Sequence, residues 1–326
     1  MINIRNFFIS FFISLVFFAL IAWLIFDKVM PDTGEEISEP SNDFVIDASS
    51  DNTGKATSEV DEKENVILTG LVCCYDDITG RADSIMLVNI NKNKETVTVC
   101  TIPSYLKIDI GTVNYKKEIY LGDILSDGTV KNGKNKFKSM VEAVTGLSVD
   151  HYAFMSSKDF INIINEIGGV EYDVPMDMYY KDEADNVLVN LDGDLSRLNG
   201  SQAYQLLRFR SYTVDKQTDD GDGKRRSVQA QFLKSVLDSL LKKENVQNIG
   251  GIASKLLKLI VEGETDFTAT TVDLYLDLIQ GYKNYTFRTV DYPVKSTEIV
   301  QLENGETIAV HNPDTSEAFK ILSFKQ

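Results

Sequence analysis

The sequence predicts a three-layer α-β-α domain with a mixed central sheet, preceded by one transmembrane helix and a disordered tether. Three observations carry this. From about residue 64 onward, short apolar runs of strand type are interleaved with amphipathic stretches at helical spacing, the alternation that sets helices against a sheet. Near the N-terminus, Phe7 to Phe26 is apolar apart from Ser10 and Ser14. Between these regions, residues 30–63 are rich in Asp, Glu, Ser and Asn, with one isolated apolar patch at Phe44-Val45-Ile46.

The apolar run would make a helix about 30 Å long, enough to cross a hydrocarbon core. Its exit, Trp23-Leu24-Ile25-Phe26-Asp27-Lys28, lacks the small-residue pattern of a cleavage site, so residues 1–29 are expected to be an uncleaved anchor. Trp23 suits the membrane interface. Arg5 precedes the run while Asp27 offsets Lys28, which favours a cytoplasmic N-terminus and an extracytoplasmic remainder. The acidic tether cannot bury enough apolar surface to offset its chain entropy.

In the remainder, residues 64–326, Val66 to Cys74 reads as a strand buried on both faces. Ser84 to Ile90 and Glu95 to Ile102 follow as strands, joined by a turn at Asn91-Lys92-Asn93-Lys94. Phe137 to Thr145 is amphipathic and stops at Gly146. Ser156-Ser157 can cap a helix carrying Phe160, Ile163, Ile164 and Ile167, ended by Gly168-Gly169, and Val170 to Val174 resumes as a strand. Helices are expected at Ser201 to Leu207, Ser227 to Leu241, Val246 to Val261 and about Thr271 to Tyr282. Glu298 to Val310 alternates around Asn304-Gly305, a hairpin signal, and Phe319 to Leu322 closes on a short helix. With no internal repeat and no second linker, one domain is the economical organisation.

A net charge of −16 argues against a nucleic-acid surface, which needs a basic footprint. Cys73, Cys74 and Cys100 show no zinc spacing; buried free thiols are expected, with a link from Cys100 to one of the pair open if their strands are adjacent. His151 and His311 are the only histidines, so histidine-centred triads are poorly supported. Eight arginines accompany twenty-five lysines, and four of the eight are Arg208, Arg210, Arg225 and Arg226. Arginine carries a rigid charged fork that grips phosphate oxygens two at a time. Phosphate binding and ion pairing with Asp215, Asp219, Asp220 and Asp222 both fit this bunching.

The order of short motifs is more specific. Gly80-Arg81-Ala82-Asp83 leads into a strand, Thr101-Ile102-Pro103 ends the next, and Asp150-His151-Tyr152, Gly168-Gly169-Val170 and Asp173-Val174-Pro175 follow. Then come Leu198-Asn199-Gly200-Ser201-Gln202-Ala203, Arg208-Phe209-Arg210, and Asp222 with Arg225 and Gln229. In this order, behind an N-terminal anchor, the chain resembles the LytR-CpsA-Psr family of membrane-anchored cell-envelope proteins over about Asn65 to Leu233. The resemblance implies a phosphotransferase moving a glycopolymer, such as a teichoic acid or capsule, from a polyprenyl-pyrophosphate carrier onto peptidoglycan. It implies that Arg81, Arg208, Arg210 and Arg225 clamp the pyrophosphate and that Asp83 binds a magnesium ion. Asp222 would orient Arg225 or assist proton transfer, and the lipid tail would lie in an apolar tunnel.

The chain departs from the family pattern at charged positions. Val72 stands where the family has an aspartate, Ser104-Tyr105 where it has Arg-Asp, and Val228 where an arginine precedes Gln229. Asp76 or Asp77 could supply the missing carboxylate, although both also suit a turn before Gly80. Lys107, Lys224 or Arg226 could supply positive charge. These losses leave a second expectation open: a relative that binds polyprenyl phosphates or wall glycans without transferring them, as a regulator.

Overall fold

The computed structural model describes residues 67–109, 119–128, 132–181, 187–210, 221–240, 264–266, 284–301 and 307–323. The predicted anchor and tether, the predicted helices over 246–261 and 271–282, and the Asn304-Gly305 turn lie outside these residues. Among the described residues no helix is long and apolar enough to cross a membrane. All of them belong to one compact unit, Asp61–Gln326.

The described chain runs β1 (Ile67–Tyr75), β2 (Ala82–Asn91), β3 (Thr96–Thr101), β4 (Lys107–Ile108) and β5 (Ile119–Tyr120), then a 3-10 turn at Leu121–Asp123. It continues through α1 (Gly133–Thr145), β6 (His151–Ser156), α2 (Ser157–Glu166), β7 (Val170–Glu171), β8 (Met178–Lys181), β9 (Val187–Leu191) and β10 (Arg197–Leu198). Next come α3 (Gly200–Arg208), α4 (Asp222–Leu240), β11 (Thr286–Asp291), β12 (Val294–Gln301), β13 (Thr307–Pro313) and α5 (Thr315–Leu322). The central sheet has the order β11-β3-β2-β1-β6. β1, β2 and β3 form an antiparallel meander, and β6 and β11 join its two edges in parallel. The sheet is therefore mixed, as the interleaved pattern predicts.

Alternation along the strands divides the apolar residues between two faces. Leu71, Cys73, Ile85, Leu87, Cys100 and Phe154 pack with Phe137 and Val141 of α1 and with Ala318 and Leu322 of α5. Val72, Met86, Val88, Val97 and Val99 pack with Ala230, Leu233 and Leu237 of α4. β1 is not buried on both faces, contrary to the sequence expectation: Leu71 and Cys73 are buried, Val72 and Cys74 only in part. On that face α4 covers chiefly β3, β11 and β2. A third cluster, including Ile164, Val170, Leu206, Phe209, Val228 and Phe232, joins α2, α3 and α4.

A disulfide from Cys100 to Cys73 or Cys74 is excluded by this strand order, because β2 lies between their strands; all three thiols are free. Burial pushes the Cys74 and Cys100 thiols up to about 12. Helix starts follow the expected chemistry. Ser156 accepts the Asp159 N–H at the head of α2, and Asn199 and Gln202 form a capping box at the head of α3. β7 ends at Glu171 rather than Val174, because its ladder partner is only Arg197–Leu198. The largest correction is α4, which begins at Asp222 rather than Ser227. Its first turn buries Asp222, Arg225 and Arg226 in place of an apolar stripe, so hydrophobic periodicity could not reveal it.

Candidate functional site

The site is organised around two buried carboxylates. Asp222 opens α4 with its side chain 5 % exposed. Its Oδ1 accepts hydrogen bonds from Arg225 Nε at 3.1 Å and Nη2 at 2.6 Å, and Oδ2 accepts one from Arg226 Nε at 2.9 Å. Arg210 Nη2 lies 3.6 Å from the same Oδ1. Burial opposes ionisation of Asp222, but Arg225, Arg210 and Arg226 outweigh it and hold the carboxyl far below the usual carboxylate range. Gly221 makes this approach feasible. It has φ +81°, and a Cβ there would overlap the Arg210 carbonyl, so glycine lets the head of α4 abut the end of the α3 segment. Arg226 spans from this cluster, through Nη1, to the Thr101 carbonyl and Asp291.

Asp76 is the second carboxylate. It closes the loop after β1, where Oδ1 accepts from the Ile78 and Thr79 N–H groups and Oδ2 accepts from the Tyr204 hydroxyl at 3.0 Å. Arg208 Nη1 lies 3.6 Å from that Oδ2, and its Cζ stands 5.2 Å from the Tyr204 ring centroid. Burial would raise the Asp76 pKa, but these donors together with Arg208 hold it below the ordinary value. Asp76 thus fills the turn role read from sequence and also seats a predicted site arginine. Asp77 instead accepts from Ser157 Oγ and the Lys158 N–H at the head of α2.

Arg81 and Asp83 enter from the start of β2. The β1–β2 register pairs Cys74 with Ser84 but Tyr75 with Ala82, so Asp83 is the extra residue of an irregularity in the ladder. Such bulges re-aim a side chain. Arg81 forms an ion pair with Asp123 and lies over the Tyr105 ring, its Cζ 4.6 Å from the centroid. Arg210 Cζ is 5.7 Å from the same centroid.

These side chains line one cavity of about 360 Å³, which brings together Arg81, Asp83, Arg208, Arg210 and Arg225 with Asp76 and Tyr105. Tyr180 and Leu188 of the β8–β9 hairpin and Thr307 complete its wall. Of the predicted site residues, Asp222 stands behind Arg225 and is not among the lining side chains. A larger groove of about 1090 Å³ runs along α4 beside β7 and β10; it is lined by Lys224, one of the candidate replacement charges, and by none of the predicted clamp or catalytic residues. Sequence reasoning missed Tyr105 and Tyr204 as partners of the arginines. No local pattern marks a tyrosine that will meet a guanidinium from another element.

The departures from the family pattern are built into the packing. Val72 and Val228 join apolar clusters, and Ser104 is 3 % exposed with its carbonyl accepting the Gly122 N–H. No group of three or more metal-ligating side chains occurs among the described residues. Asp76 has both oxygens committed, while Asp83 lines the cavity without a hydrogen bond or ion pair to another described residue. One carboxylate with no described hydrogen bond, beside arginines, fits a magnesium ion shared with substrate phosphates, which needs few protein ligands, and does not fit a protein-only cage.

Fold and cavity together define an α/β domain with an arginine-lined cavity. The chain belongs to the LytR_cpsA_psr family, whose model matches residues 33–323. It is 28 % identical over 216 residues to the polyisoprenyl-teichoic acid–peptidoglycan teichoic acid transferase TagV of Bacillus subtilis (strain 168), covering 65 % of this chain and 51 % of that protein. It therefore spans about half the length of that relative. The corresponding transferase TagU of Bacillus cereus (strain AH820) is 23 % identical over 253 residues, 78 % of this chain and 74 % of that protein. The crystal structure of B. subtilis TagV matches with a TM-score of 0.60 at 22 % identity, covering 80 % of this chain and 96 % of the other. A LytR-Csp2A-Psr enzyme from Actinomyces oris matches with a TM-score of 0.56 at 21 % identity, covering 78 % and 88 %. At these identities the structural likeness speaks for the fold.

Proposed function

We propose that this protein is a membrane-anchored phosphotransferase that moves a glycopolymer from a polyprenyl-pyrophosphate carrier to peptidoglycan outside the cell. The observation that carries this is the convergence of Arg81, Arg208, Arg210 and Arg225 on one cavity with Asp83. The names of the TagV and TagU relatives support the choice of substrate class. The apolar run Phe7 to Phe26 supports the anchor.

Phosphoryl transfer depends mainly on positioning and on neutralising charge around the transferring group. A peptidoglycan hydroxyl oxygen bonds to the phosphorus nearest the glycan, and the bond from that phosphorus to the bridging oxygen breaks. Polyprenyl phosphate departs carrying the hydroxyl proton, and a phosphodiester joins glycan to wall. Arg81, Arg208 and Arg210 hold phosphate oxygens at the cavity wall, and Arg225 adds a buried charge fixed in direction by Asp222. A carboxylate held as firmly in its ionised form as Asp222 is a poor proton acceptor, so its role is to orient. Magnesium, held by Asp83 and the pyrophosphate, would supply further neutralisation of phosphate charge.

The full-length chain in detergent, given a polyprenyl-pyrophosphate-linked glycan, peptidoglycan and magnesium, is expected to release polyprenyl phosphate and label the wall polymer. Absence of release where TagV is active would overturn transfer. A second role, binding without transfer, is favoured by Val72 and Val228, which occupy apolar clusters at positions where the family carries charge. Binding that persists with no turnover and ignores Asp83→Ala would select it.

A further inference from the structure

We propose that Tyr105 is a positioning residue whose ring holds the Arg81 and Arg210 guanidinium groups together, so that both engage one pyrophosphate. This rests on reading the cavity as a pyrophosphate site. Arg81 arrives at the start of β2 and Arg210 just past the end of α3, so no shared element fixes their separation. Tyr105 meets both: Arg81 Cζ is 4.6 Å and Arg210 Cζ 5.7 Å from its centroid, within the reach of cation–π attraction.

The backbone that carries the ring is firmly seated. Its neighbours Ser104 and Leu106 are buried, and the Tyr105 carbonyl accepts the His311 N–H at 3.1 Å. Gly122 donates its N–H to the Ser104 carbonyl at 2.8 Å. A Cβ at Gly122 would lie 3.0 Å from Ser104 Cβ and from the Ala82 carbonyl, so this close approach depends on glycine. The Tyr120 ring meets Tyr105 edge-on at 5.5 Å. Each guanidinium also has a carboxylate on a different element, Asp123 for Arg81 and Asp222 for Arg210. A ring and a carboxylate acting from separate elements restrict a long side chain more than either alone, which lowers the entropy lost when phosphate binds. Because the ring is neutral, it aligns two cations without cancelling the charge that phosphate needs. A carboxylate at residue 105 would cancel part of it.

The test is calorimetric titration of the full-length chain in detergent with inorganic pyrophosphate. Tyr105→Leu is expected to weaken binding about 5- to 30-fold, while Tyr105→Phe, which keeps the ring, restores most of the affinity. Arg81→Ala should cost less in the Tyr105→Leu background than alone, since the two residues act through one contact. If Tyr105→Leu does not fold, Tyr105→Met supplies comparable bulk without an aromatic face. Unchanged affinity in the variant lacking a ring, equal loss in Tyr105→Phe, or additive losses with Arg81→Ala would overturn the role of Tyr105 alone. A wild-type chain that binds no pyrophosphate would overturn the reading of the cavity and this proposal with it.

Discussion

Asp222 and Arg225, one helical turn apart, form a bidentate pair through a single carboxylate oxygen, at 3.1 Å to Nε and 2.6 Å to Nη2, with both side chains almost wholly buried. The other Asp222 oxygen holds Arg226, and Arg210 approaches from outside the helix. One carboxylate therefore fixes the head of α4 and aims a permanent charge at the cavity.

Removing that carboxylate leaves buried arginine charge without its partner. Asp222→Asn is expected to lower stability by about 3–5 kcal/mol at neutral pH, measured by urea denaturation. A loss below about 1 kcal/mol would mean that the cluster is more hydrated than its burial indicates.

The same pair sets the acid response. Asp222 and Asp76 are both held below the ordinary carboxylate value in the folded chain. Each then contributes stability that is fully present above the unfolded value, about 4. That contribution is lost as pH falls below about 4 toward the folded values. The melting temperature of the wild type should hold nearly level from pH 6 to pH 5 and fall steeply from pH 4 to pH 2, and Asp222→Asn should show a shallower decline over the lower interval.

Arg208 is the most solvent-exposed of the clamp arginines whose ion pairs are described, with its side chain 38 % exposed. Arg208→Ala should leave the melting temperature nearly unchanged and lower transfer turnover about 10²–10³-fold. Arg208→Lys should recover only part of the loss, since an ammonium lacks the bidentate fork.

Gly221→Ala tests the construction of the site. A left-handed residue with a side chain costs about 1–2 kcal/mol, and the overlap with the Arg210 carbonyl adds to this. Melting should drop, and pyrophosphate affinity should fall further than in Ile164→Val, a core variant that does not line the cavity.

The strands and capped helices were legible because they follow local rules. Ser156 caps the helix it precedes, and the apolar runs of β2 and β3 flank the polar turn that joins them. The head of α4 was not legible, because Asp222, Arg225 and Arg226 bury a charged face where periodicity looks for an apolar one. Arg81, Asp83, Arg208, Arg210 and Arg225 were assembled by resemblance, and the structure brings them to one cavity. Asp76 was read mainly as a turn residue because the turn is local, whereas Tyr204 and Arg208 reach it from α3. Tyr105 was noted only as a departure; its contacts join three elements and leave no spacing to read.

Pyrophosphate capture is the role proposed for the arginine cavity. Its most direct test is titration of the full-length chain with a short-chain polyprenyl pyrophosphate, with and without magnesium, in wild type, Arg208→Ala and Asp83→Ala. The expected result is binding that weakens strongly in Arg208→Ala, tightens with magnesium, and loses the magnesium effect in Asp83→Ala. Binding that is indifferent to Arg208, or no binding by a folded wild-type chain, would contradict the account.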